Sequence, residues 1–221
     1  MTSITADPPL PPSLPTAPPV ERSAQRIKPV ELAAWVEMRL PRITQKWLKE
    51  VQNRYDPGTR GLNGVLEEFL GLLASFLPGM LGPYREQVEP LWTRTSELFG
   101  AVAAKRGLAA GEVIEEVQIL REVVIRLLYQ DPPLAGRAPV SLREILRLSR
   151  AIDMGVTHSS VGHTDALFFS LFEGGGIPEA PPTAELVDEL RQELDGIRQE
   201  LRQILGDVPG TSWAAEEDGE A

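Results

Sequence analysis

The sequence predicts an all-α protein, a bundle of about five to six helices with bundle or globin-like packing, followed by a short C-terminal coiled-coil helix. Two observations predict it. Apolar residues recur at steps of three and four, most clearly in Val113, Val117, Leu120, Val124, Leu127 and Leu128, which draw one stripe along a helix. Proline and glycine clusters punctuate the segments between such stripes.

In chain order, residues 1–28 carry Pro8, Pro9, Pro11, Pro12, Pro15, Pro18 and Pro19 and read as an extended arm without a core. A solvated tether is the simpler reading of this arm than a ligand for an aromatic groove. A helical domain is expected over 29–173. Pro29 opens its first helix, with Leu32, Trp35, Val36 and Leu40 inward, and Pro41 either kinks or splits it. Arg42 to about Tyr55 continues with Ile43, Trp47, Leu48 and Val51, and Asp56-Pro57-Gly58 ends it. Trp35 and Trp47 sit within apolar stripes and read as core anchors.

Leu62 to Leu77 is apolar on more than one side and is expected to be buried, with Pro78-Gly79 and Gly82-Pro83 breaking the chain after it. A further helix spans about Tyr84 to Arg106, and Pro90 places its regular start later. The central helix follows, with Glu112, Glu115, Glu116, Glu122 and Arg126 off its dry stripe. Asp131-Pro132-Pro133 stops it. Ser141-Leu-Arg-Glu144 has capping-box spacing and begins a long helix to about Phe172. Its polar middle, Thr157 to Asp165, is either exposed or a small buried network.

A Gly/Pro linker is expected at 174–182, then a helix over 183–206 of different character. Val187, Leu190, Leu194, Ile197, Leu201 and Ile204 alternate three- and four-residue steps, the seam of a coiled coil. In a parallel homodimer Glu193 of one copy reaches Arg198 of the other. Gly196 weakens this helix by about 1 kcal/mol relative to alanine. The seam is short and needs a partner helix or help from the main domain. The acidic tail, 207–221, reads as disordered.

Composition limits the functions. A net charge of −10 disfavours nucleic acid and anionic membrane as partners, since both demand an excess of Lys and Arg. No cysteine is present, which excludes disulfides, thiolate metal sites and a cysteine nucleophile. The longest uncharged run, Phe69 to Tyr84, is too short to span a bilayer, and no signal peptide is evident, so a soluble cytoplasmic protein is expected. P-loop, dinucleotide, His-Glu-x-x-His and nucleophile-elbow patterns are all absent. His158 and His163 are the weak candidates for a cofactor such as haem. Five residues apart, they diverge by roughly 140° around a straight helix and are ill placed to chelate one metal together. Neither a catalytic nor a metal site is expected.

One stretch carries a family likeness. Lys105-Arg106-Gly107, a Leu-Ala-Ala-Gly turn, and Glu115-Glu-Val-Gln-Ile-Leu-Arg121 resemble the signature of the RsbRD-type (RsbT co-antagonist) N-terminal domain. The family spelling resembles Arg-x-x-x-Gly, apolar spacing, then Glu-(Tyr/Phe)-x-Leu-Leu-Arg. Val117 stands where an aromatic is common, Phe99-Gly100 where a His-Gly pair is common, and Ala103 where an arginine is often seen. The resemblance covers Leu32 to about Phe172. It implies a helical input module of the kind found ahead of histidine-kinase or STAS output domains and in stressosome regulators of stress response, with Gly107, Glu115, Leu120 and Arg121 as its motif positions. Glu115 and Arg121 are six apart, so their contacts are expected with neighbouring helices. The family's helix leads into an output domain, whereas this chain ends soon after it. The expected function is therefore a non-enzymatic sensor or adaptor that dimerises and regulates a separate protein. A small-molecule or haem-binding globin-like sensor is the alternative.

Overall fold

The computed structural model describes residues 27–54, 63–133, 140–172 and 184–206, and these contain seven helices and no strand. They are α1 (Pro29–Glu37), α2 (Leu40–Arg54), α3 (Asn63–Leu81), α4 (Arg85–Lys105), α5 (Ala110–Gln130), α6 (Leu142–Phe172) and α7 (Ala184–Gly206). Most of the expected arm, the linker and the tail lie outside the described residues. Ile27, at the end of that arm, is buried against the core. None of the described helices is long and apolar enough to cross a membrane.

Pro41 splits rather than kinks. The break falls at Met38 and Arg39, and Pro41 becomes the second residue of α2, where a missing amide donor costs little. The joint is tied to the end of α5: Arg39 pairs with Asp131 at 2.6 Å and lies over the Trp35 ring, while the Trp35 indole donates to the Asp131 carbonyl at 2.7 Å. Trp47 and Trp92 do likewise, donating to the carbonyls of Glu116 and Ala151 at 2.7 and 3.1 Å. Each of these buried indoles thus fills the core and satisfies its one polar atom on a carbonyl distant in sequence.

Two proline expectations are corrected. α3 does not stop at Leu77 but runs through Pro78 and Gly79 to Leu81. Leu77, Met80 and Leu81 are all buried, so packing holds the last turn helical against local propensity. Gly79 is needed there, because a Cβ would stand 2.8 Å from Val88 of α4. α4 likewise begins at Arg85, ahead of Pro90 rather than after it. The carbonyl that Pro90 leaves without a donor belongs to Glu86, which is exposed to water.

The central pair of the bundle is α4 and α6. Their backbones meet: a Cβ on Gly100 would fall 1.8 Å from the Ser159 carbonyl oxygen, and one on Gly162 would fall 1.9 Å from that of Glu97. Gly155 lies under the Trp92 ring in the same crossing. α5 packs beside α6 and against α2, while α3 lies across α1, α2 and α4. The expected stripe of α5 is buried throughout, with one addition. Glu116, assigned to the wet face, is fully buried.

α7 is docked on α3 and α4. Leu190, Leu194, Ile197 and Leu201 are buried there, joined by Leu205, and Val187 and Ile204 are partly buried against the same core. The seam expected to pair between copies is thus filled by the chain's own bundle. Physically, a tethered surface competes at high effective concentration for a helix too short to be stable alone.

Candidate functional site

The motif stretch of the family likeness forms the joint between α4 and α5. Gly107 has φ +78°, the left-handed conformation that L side chains resist. Its amide donates to the Ala104 carbonyl at 2.9 Å and that of Leu108 to Ala103 at 3.1 Å, which closes α4 in a Schellman motif. Leu108 then turns into the core. Arg106, just before the glycine, makes two hydrogen bonds of 3.1 Å to the carboxylate of Glu116, and both side chains are almost wholly buried. This bidentate pair crosses from the end of α4 to the second turn of α5.

Glu115 and Arg121 reach neighbouring helices, as their spacing requires. Glu115 pairs with Arg54 of α2 at 2.9 Å, and Arg121 with Asp153 of α6 at 2.6 Å. Both pairs are solvent-exposed in part and contribute little to stability. Leu120 is fully buried in the core. The charge that organises this joint is therefore Glu116 rather than its neighbour. A signal for it was present: Glu116 stands three residues after Val113 and four before Leu120, at the edge of the dry stripe, whereas Glu115 points away from it.

The two histidines have separate partners. His158 is half-buried, with Nδ1 2.8 Å from the Glu97 carboxylate of α4. His163 is buried, and its Nε2–H donates to the Leu108 carbonyl at 2.7 Å. That bond fastens the α4–α5 turn to α6. The polar middle of α6 thus has two sides: Ser159, Gly162 and His163 are buried, while Thr157, Thr164 and Asp165 face water. Ser96, Ser159 and His163 place polar atoms inside the α4–α6 crossing that bond to no described residue.

Around α7 the apolar seam is edged with ion pairs. Arg191 meets Glu68 of α3 at 3.2 Å, and Glu200 meets Arg94 of α4 at 2.9 Å. Arg198, expected to reach Glu193 of another copy, instead pairs with Asp195 at 2.7 Å and donates to the Glu68 carbonyl at 3.2 Å. Glu193 is exposed beside α4 and α6. Where α7 meets α2 and α3 lies an open cavity of about 570 Å³. Leu48, Gly71, Leu72, Leu201 and Leu205 make much of its wall, and Arg202 stands on it. No side chain singled out in the sequence as a cofactor ligand lines it.

The described residues thus offer a closely packed joint at α4–α5–α6, a docked amphipathic helix and a cavity beneath that helix. Compared with models of known protein families, with curated proteins and with solved structures, the chain matches none.

Proposed function

We propose that this protein is a non-enzymatic signal-transduction module, a helical sensor or adaptor resembling RsbRD N-terminal domains, in which α7 is the output element. The observation that carries this reading is the dual character of α7. It has the apolar seam of a pairing helix, yet that seam is docked on α3 and α4. A docked helix of this kind stores a binding surface, because leaving the bundle exposes Leu190, Leu194, Ile197 and Leu201 together. The partner class suggested by the resemblance is a histidine kinase, a STAS-domain protein or a stressosome-type regulator. The helix would bind it by pairing along the seam.

The test is affinity capture from the native cell extract, with the full chain beside a version truncated after Gly176. Recovery of such signalling proteins by the full chain alone supports α7 as the output. Equal recovery by both moves the interaction to the bundle, and recovery of none by either defeats the adaptor reading.

The cavity favours a second reading, a small-molecule sensor. Its walls include Leu201 and Leu205 of α7, so an occupant would bear directly on the docked helix. Its volume is within the usual range for small ligands. Gly71 lines it with room for a side chain: a Cβ there would meet nothing nearer than Thr44 Cγ2, 3.9 Å away. Gly71→Leu is therefore expected to abolish any ligand-induced rise in Tm found by thermal-shift screening, without lowering the Tm of the ligand-free protein.

A further inference from the structure

The outward face of α6 carries large apolar side chains that the fold leaves in water. Leu142 is 69% exposed, Leu146 46%, Phe168 54% and Phe172 73%. The opposite face, through Leu148, Ile152, Gly155, Ser159 and Gly162, is buried against the rest of the bundle. Phe169 and Leu171 are exposed as well; the four named first follow a pattern. Leu142 and Phe172 lie 15 residues either side of Thr157, and Leu146 and Phe168 lie 11 either side of it. Arg150 and Thr164 stand at 7 on either side, Asp153 and Val161 at 4.

We infer that α6 is a self-pairing surface, docking antiparallel on α6 of a second copy about a two-fold axis at Thr157. An interface between identical chains about a two-fold axis must be complementary to itself, residue i meeting j while j meets i. The spacing about Thr157 has that property, setting Leu142 against Phe172 and Leu146 against Phe168 at both ends of the pair. The contact would run about 45 Å along the helix.

The polar centre fits close approach as well. Thr157 and Thr164 each spend their hydroxyl on their own helix, donating to the carbonyls of Asp153 and Ser160 at 2.9 Å. Their methyl groups are left for a facing helix. Charge selects the direction. In the antiparallel register Arg150 of one copy lies beside Asp165 of the other, twice over, and the helix dipoles oppose. A parallel pair would bring Arg150 against Arg150, Asp153 against Asp153 and Asp165 against Asp165 along aligned dipoles. This inference does not rest on the function proposed for α7, whose seam lies elsewhere on the molecule.

The test is sedimentation equilibrium on the full chain, followed by cross-linking. A mass near twice 24.3 kDa is expected. Leu146→Glu with Phe168→Glu should raise the dimer Kd at least tenfold with the helical circular dichroism unchanged, since both sites are exposed. Arg150→Glu and Asp165→Arg should each weaken the dimer, and the double variant should recover it. The chain has no cysteine, so introduced ones report direction cleanly. Leu146→Cys and Phe168→Cys proteins should cross-link when mixed and not alone. A monomer at hundreds of micromolar overturns the inference. So does a dimer that survives the α6 changes, or one in which Leu146→Cys links to itself.

Discussion

Two helix junctions in this molecule bury apolar surface in opposite ways. At the α4–α6 crossing, glycines let one backbone rest on the other, so that Gly100 meets the Ser159 carbonyl and Gly162 meets that of Glu97. At the α7 junction, leucine and isoleucine side chains fill the gap and charged pairs edge it. The first has no room for an added atom and is reinforced by His163 and by the nearby Arg106–Glu116 pair. The second depends on side chains that any amphipathic groove could receive. The release of α7 proposed above would draw on both: a frame that holds its shape and one element whose contacts can be exchanged.

Breaking the frame should have the larger effects. Gly162→Ala places a methyl group where the Glu97 carbonyl oxygen lies 1.9 Å away, and backbone cannot yield as a flexible side chain can. Loss of a cooperative urea transition is expected, the strongest effect of any substitution considered. Glu116→Ala comes next. It removes the carboxylate that faces the buried Arg106 guanidinium and should cost about 3–5 kcal/mol in chemical denaturation.

Breaking the α7 junction should leave the frame standing. In Leu194→Asp with Leu201→Asp, two buried leucines become carboxylates facing α3 and α4. Hydrogen exchange should show protection in α7 falling by roughly a hundredfold or more while α4 and α6 keep theirs. If α4 and α6 lose protection in step with α7, the two junctions form one cooperative unit and the contrast fails. The mildest change sharpens the comparison within the frame. Gly107→Ala would meet no atom within 4 Å, so only its φ of +78° opposes it. A loss of about 1–2 kcal/mol is expected, well below that of Gly162→Ala, although both replace a glycine by alanine.

Much of the fold is legible locally. The stripe of α5, the turn at Gly107, the span of α6 and the Ser141–Glu144 cap depend on residues within a few positions of one another. Trp35 and Trp47 are legible as anchors for the same reason, though not the carbonyls they meet. The spacing of Glu116 from Val113 and Leu120 places it at the edge of the dry stripe, but its partners Arg106 and Trp47 arrive from elsewhere in the chain and are hidden from the sequence. Pro78 and Pro90 break no helix here, since the packing that overrides propensity is supplied from elsewhere in the chain. Of the candidate positions, Glu115 and Arg121 behave as their spacing requires, whereas the histidines needed the structure to name their partners.

By itself the sequence determined that this chain would be helical, where most helices lie and which faces are dry, because periodicity is a property of near neighbours. Only the tertiary structure decided what each dry face meets. It chose the chain's own α3 and α4 for the seam of α7, and it left the Thr157-centred face of α6 in water. It also set Gly100 against the Ser159 carbonyl and Gly162 against that of Glu97, approaches that the spacing of the letters does not show. The physical reason is that an apolar stripe carries a demand for burial without an address. The address depends on shape and on competition among surfaces that exist only once the chain has folded.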